Sequence, residues 1–165
     1  TSIYNRRHFD ELLQREIAYE RRYKTRTGFL MLDIDHFKSV NDTYGHNMGD
    51  EILVEFSRIV QKTLREVDVF GRWGGEEFVL FLPHTTQEGT MLVAQKICNA
   101  VANHSFPHKK TLTTSIGVVM LNHTTPLNQI FIHLDEALYE AKQNGRNCVV
   151  YKKILIEEKE PLLTT

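Results

Sequence analysis

Cysteine is scarce in this chain. Its 165 residues hold only two, Cys98 and Cys148, which fit no metal-ligand spacing and read as reduced, structural thiols of a cytosolic protein. No charge of one sign dominates either. Twenty Lys and Arg stand against 21 Asp and Glu, a net charge of −1, so there is no bulk electrostatic case for a nucleic acid polymer or an anionic membrane. Any phosphate binding must be local. No apolar run reaches bilayer length and no signal peptide is visible, so direct membrane contact by this domain is not expected. Repeats and interior linkers are absent. What is present, 41% hydrophobic and 25% charged residues, describes one globular domain large enough to bury a substantial core. Residues 153–165 form a polar tail expected to be disordered. The abrupt start at Thr1 suggests an excised domain, residues 1–152, separated from an N-terminal regulatory part.

Periodicity supplies the elements. From residue 6 to about 24, Phe9, Leu12, Leu13, Ile17 and Tyr23 recur at helical spacing. Phe29 to Ile34 is continuously apolar up to Asp33, as in a strand buried on both faces. Asp35 to Asn41 reads as a short helical turn or loop, and Gly45 to Asp50 leads into a long helix with an Ile52, Leu53, Phe56, Ile59, Val60 and Leu64 stripe. Two strand-like runs, 67–70 and 78–82, flank Gly74-Gly75 as a β-hairpin. A helix follows over 85–101 with a soft start, because Thr86 lacks a capping box. Then come a strand over 112–120, a helix over 128–144 ended by Gly145, and a closing strand over 148–151. Strands and helices interleave with one hairpin between them. That order predicts an α/β (α+β) fold with a mixed central sheet and flanking helices, and a ferredoxin-like βαββαβ core with additions fits best.

The working centre is Arg72-Trp73-Gly74-Gly75-Glu76-Glu77-Phe78. The glycines let a polyanion or a second chain approach the backbone. Glu76 and Glu77 follow at the mouth of a strand, where neighbours point to opposite faces, so one acts as ligand or base and the other supports. Upstream, Asp33-Ile34-Asp35-His36-Phe37-Lys38 puts a carboxylate at a strand end before a turn whose free N–H groups can hold phosphate oxygens, with Lys38 beside them. Asp33 and Glu76, with the Ile34 carbonyl, make the oxygen set that Mg²⁺ prefers when substrate phosphates complete it. The plainer reading of Asp33 and Asp35 is helix capping. Lys142 and Arg146 either complement a helix C-terminus or clamp a triphosphate.

The blocks from Asp33 to Asp42, Gly45-His46, Gly49-Asp50, Arg72 to Phe78, Ala137-Leu138-Tyr139 through Lys142 and Gly145-Arg146-Asn147 together resemble the GGDEF family of diguanylate cyclases, and Tyr4-Asn5-Arg6-Arg7 looks like its entry segment. The resemblance covers the chain to about Tyr151 and implies the palm-type nucleotide-cyclase core, with the hairpin carrying a GGEEF signature. Glu76 stands where the family name has Asp and keeps the carboxylate.

The implied activity is condensation of two GTP into cyclic di-GMP and pyrophosphate. Asp33, the Ile34 carbonyl and Glu76 would bind Mg²⁺, with Mn²⁺ as the alternative cation and Glu77 in the same carboxylate set. Glu76 would also be general base. Asn41 and Asp50 would read the guanine edge, with Phe37 and His46 in the same ligand-contacting blocks. Lys38 would stabilise charge in transfer, and Lys142 and Arg146 would hold terminal phosphates. Arg65 and Asp68 have the family's Arg-x-x-Asp pattern for inhibition by bound product; the plain alternative is a helix-end ion pair. A symmetric product from one set of groups per domain demands a homodimer, with a sensory domain in the parent chain controlling the encounter. The expected location is cytoplasmic. Rivals are a catalytically silent domain that binds GTP or cyclic di-GMP, a palm-type enzyme acting on ATP, and a protein-interaction domain.

Overall fold

A computed structural model of the protein describes residues 5–154. Tyr4 of the entry segment and the tail from residue 155 lie outside the described residues. The chain runs α1 (Arg6–Tyr23), β1 (Thr27–Ile34), α2 (Phe37–Tyr44), α3 (His46–Lys62), β2 (Val69–Gly74), β3 (Glu77–Pro83), α4 (Gln87–Ala102), β4 (Thr114–Met120), α5 (Leu127–Gln143) and β5 (Val149–Tyr151). The strands form one sheet in the order β2-β3-β1-β4-β5. All neighbours are antiparallel except β4 and β5. β1 through β4, with the helices between them, make the ferredoxin-like βαββαβ core; α1, α5 and β5 are the additions.

Every residue of β1 is buried, because helices cover both faces of the sheet. Leu30, Leu32 and Ile34 point into a core shared with α2, α3 and α4. Phe29 and Met31 point into a second core with Phe9, Leu13 and Ile17 of α1 and Ile130, Leu134 and Leu138 of α5. At Gly117 of β4 an added Cβ would meet the Leu138 backbone nitrogen at 2.5 Å. Helix α5 therefore lies directly on the strand, with no side chain between them.

Three readings of the sequence need correction. Thr86 does cap α4, its side chain accepting from Gly89 N at 3.1 Å; the hydroxyl supplies the acceptor without a capping box. Tyr23 is 55% exposed and packs against the Tyr19 ring at 4.6 Å instead of entering the core. The hairpin turn lies one residue later than the Gly-Gly pair suggests: Gly74 ends β2, Gly75 and Glu76 form the turn, and Glu77 opens β3.

Candidate functional site

Residue Asp33 faces Glu77 across one strand gap and Ser115 across the other. Directly opposed residues share a face, here the one covered by α1 and α5. Asp33 is 5% exposed. Oδ2 accepts from the Lys142 ammonium, in the last turn of α5. Oδ1 is buried with no hydrogen-bond partner. Burial pushes the Asp33 carboxyl up to about 6; Lys142 pulls it down, while Glu76 and Glu77 push it higher. Glu77 is raised as well, by burial, with Lys142 opposing and Asp135 and Glu76 adding to the rise. Three acids thus repel one another around a single ammonium.

Whether a cation fits is decided by that orphaned oxygen. A buried carboxylate oxygen with no donor is costly, and a hard cation is one group that satisfies it. Among the described residues no three His, Cys, Asp or Glu side chains are grouped to hold an ion. The donors therefore suit a metal that keeps water or phosphate oxygens in its shell, as Mg²⁺ does, more than one needing a full protein cage.

Asp35 behaves differently from the capping residue its sequence suggests. Its Oδ2 accepts from Thr113 Oγ1 at 2.6 Å and from the Asn147 amide at 3.0 Å, and its Oδ1 from Ser115 Oγ at 2.6 Å. The α2 cap is instead His36, left-handed at φ 57° and without a side-chain cap bond. The cap therefore offers the first-turn N–H groups of α2 no acceptor, as an anion-holding turn requires.

Phe37 opens α2 and is buried, while Lys38 is exposed. Asn41, one turn on, has a buried Oδ1 without a partner. An added Cβ on Gly49 of α3 would fall 1.9 Å from that oxygen, so glycine keeps the Asn41 amide in place. His46, the first residue of α3, and Asp50 are exposed. Asp50 lines a cavity of about 280 Å³ with Arg58, Arg72 and Phe78. Arg72 also donates from Nε to the Gly75 carbonyl at 2.9 Å, bracing the turn. It is a site residue that the sequence reading left unassigned, although it opens the signature block.

Helix α5 ends by donating from the Gly145 amide to the Lys142 carbonyl at 3.4 Å and from the Arg146 amide to the Ala141 carbonyl at 3.1 Å. This paired closure is a Schellman motif, with Gly145 at φ 103°. Arg146 follows, left-handed at φ 65° and exposed, and Asp35 grips the next amide. Lys142 meets Asp33, a pairing that neither reading of the Lys142–Arg146 duo contained.

Arg65 and Asp68 are not part of this cluster. Arg65 Nη2 donates to Asp68 Oδ1 at 2.9 Å, to the Pro83 carbonyl at 2.8 Å and to Thr85 Oγ1 at 2.8 Å. Pro83 pairs with Thr27, at the end of β1 remote from Asp33, about 20 Å away by strand rise. The guanidinium clasps the end of β3, and the Arg65 side chain as a whole is still 53% exposed. No helix among the described residues is long and apolar enough to cross a membrane.

Residues 1–148 match the family described as "Diguanylate cyclase, GGDEF domain". The chain is 39% identical over 150 residues to the probable diguanylate cyclase DgcC of Escherichia coli strain K12, covering 89% of this chain and 40% of that protein. This chain therefore spans well under half of the length of that relative. Among solved structures, the active GGEEF domain of a diguanylate cyclase from Vibrio cholerae is 31% identical with a TM-score of 0.87, covering 93% of this chain and 100% of that one. The GGDEF domain of DgcB from Caulobacter crescentus, solved in complex with cyclic di-GMP, is 28% identical with a TM-score of 0.86, covering 92% of each chain. A family match over nearly the whole length, on a sheet that joins the separate sequence blocks, places this chain in the GGDEF family.

Proposed function

We propose that residues 1–152 are a diguanylate cyclase domain that condenses two GTP molecules into cyclic di-GMP and pyrophosphate. The observation that carries the reading is Asp33: a buried carboxylate with one oxygen on Lys142, the other without a partner, and Glu76 and Glu77 within electrostatic reach. That is an expensive arrangement for a fold and a useful one for polyphosphate chemistry. Asp33, Glu76 and the Ile34 carbonyl would hold Mg²⁺, or Mn²⁺ in its place, with Glu77 in support. The cation would neutralise charge on the phosphate oxygens.

The rest falls to the protein's own groups. Asn41 and Asp50 accept from the guanine N1–H and amino group, donors that adenine does not offer in that pattern; Phe37 and His46 border the base. Lys38, the α2 amides, Lys142 and Arg146 hold the triphosphate, and binding moves Lys142 from Asp33 to phosphate. Glu76 takes the proton of the 3′-hydroxyl as that oxygen bonds to the α-phosphorus of the facing GTP and pyrophosphate leaves. Two domains must face one another for this to occur twice. Arg65 and Asp68, on the remote end of the sheet, would bind product and inhibit. The domain works in the cytoplasm under the control of a sensory region of its parent protein.

Incubation with GTP and Mg²⁺ should yield cyclic di-GMP, with none from ATP and none from Glu76→Ala. The rate per domain should rise with protein concentration. GTP binding without product in wild type would favour the silent binding domain and overturn the cyclase reading.

A further inference from the structure

The turn that carries the acids has a free tip and a held root. A Cβ added at Gly74 or at Gly75 would meet nothing within 4 Å, so the tip packs against no neighbour there. Its root is Trp73, the only tryptophan in the chain. The β2–β3 register shifts between Arg72 and Gly74, which makes Trp73 the extra residue of a bulge. Bulges of this kind re-aim a side chain. Here the ring is half-buried against the core, between α1 and α5. It stacks on Phe131 of α5 at 4.9 Å and 20°, and meets Phe9 of α1 edge-on at 6.3 Å. Phe131 in turn contacts Phe29 of β1, and Phe9 contacts Phe81 of β3, both at 5.4 Å. The Arg6 guanidinium, in the first turn of α1, lies 4.2 Å from the indole centroid. Helix α1 also presses closely on β2 at this point: an added Cβ on Gly71 would come 2.6 Å from the Phe9 ring.

We infer that Trp73 is a positioning residue that fixes Glu76 and Glu77 relative to Asp33, and that Arg6 sets Trp73 by covering its ring. The inference rests on the functional reading above and adds a route into the site. A displacement of the first turn of α1 moves Arg6 and Phe9, hence the indole, hence the acids three and four residues on. Phe131 holds the ring to the scaffold by stacking, so the indole is a pivot with one fixed and one adjustable contact.

A cation–π contact at an exposed edge is modest, so loss of Arg6 should change site geometry without unfolding the domain. In the 165-residue chain, Arg6→Gln should leave the melting temperature within the range of an ordinary surface substitution. It should lower kcat about three- to fivefold and raise the Mg²⁺ concentration for half-maximal rate by a similar factor, with KM for GTP little changed. Arg6→Lys should restore most of both, since an ammonium can occupy the same ring face. Trp73 provides a readout independent of turnover. Its emission should change when Mg²⁺ and a non-hydrolysable GTP analogue are added, and Arg6→Gln should shift the half-saturation of that change about threefold. If wild type gives the emission change but no cyclic di-GMP, the cyclase reading fails and the positioning role stands. If wild type makes product while Arg6→Gln matches it in kcat, Mg²⁺ midpoint and emission half-saturation, or if Arg6→Lys fails to rescue a loss, Arg6 does not position Trp73 and the inference is overturned.

Discussion

Two aspartates sit at the end of β1, two residues apart and equally buried, at 5% exposure for Asp33 and 4% for Asp35. Asp35 accepts from two hydroxyls and a backbone amide, each at 3.0 Å or less. Asp33 has one ammonium and one oxygen without a partner, and its carboxyl is pushed up to about 6 by burial, with Glu76 and Glu77 adding to the rise. Burial therefore does not separate chemistry from architecture. The supply of donors does: where donors are sufficient, a buried carboxylate ties segments together; where they fall short, a charge is left for a ligand or ion to complete.

Removal of Asp35 should have the largest effect on folding. Asp35→Ala leaves the Thr113 and Ser115 hydroxyls and the Asn147 amide without their acceptor, at a cost of about 2–4 kcal/mol in denaturant unfolding. An unchanged midpoint would erase the distinction between the two acids. Lys142→Ala comes next. It strips Asp33 of its counter-charge, and kcat/KM for GTP should drop about a hundredfold while the fold is retained.

The pH dependence of stability sharpens the contrast. Asp33 titrates at about 6 in the fold against an ordinary 3.8. The raised value favours the protonated acid in the fold. That stability is fully present below 3.8 and is lost as pH rises through about 6. Asp33→Asn, which cannot ionise, should therefore gain on wild type as pH is raised through that window, and parallel curves would contradict the assignment. The smallest effect is expected at Arg65. Arg65→Ala should cost no more than about 1 kcal/mol, because the guanidinium is half exposed, and it should raise the product concentration needed for half-inhibition.

Much of the scaffold was legible because burial imposes period. The continuous apolar run to Ile34, the stripe from Ile52 to Val60 and the Gly145 stop all appear as expected. The family was legible as blocks, since Asp33, Asn41, Gly49, Glu76 and Lys142 each belong to a recognisable pattern. What stayed hidden was long-range pairing. Nothing near Asp35 announces Thr113, Ser115 and Asn147, which lie 78, 80 and 112 positions away. Nothing near Lys142 announces Asp33. The turn at Gly75-Glu76 was misread by one residue because two glycines suggest a symmetric loop, whereas the bulge at Trp73 consumes a residue of β2. The lone tryptophan beside the signature was the available clue.

Asp33→Asn and Asp35→Asn, melted and assayed for cyclic di-GMP side by side, probe the division of labour most directly. The expected result is an Asp33→Asn domain at least as stable as wild type yet without product, and an Asp35→Asn domain that melts earlier while keeping turnover per folded molecule within about tenfold. Product from Asp33→Asn, or a stability loss there equal to that of Asp35→Asn, would contradict it.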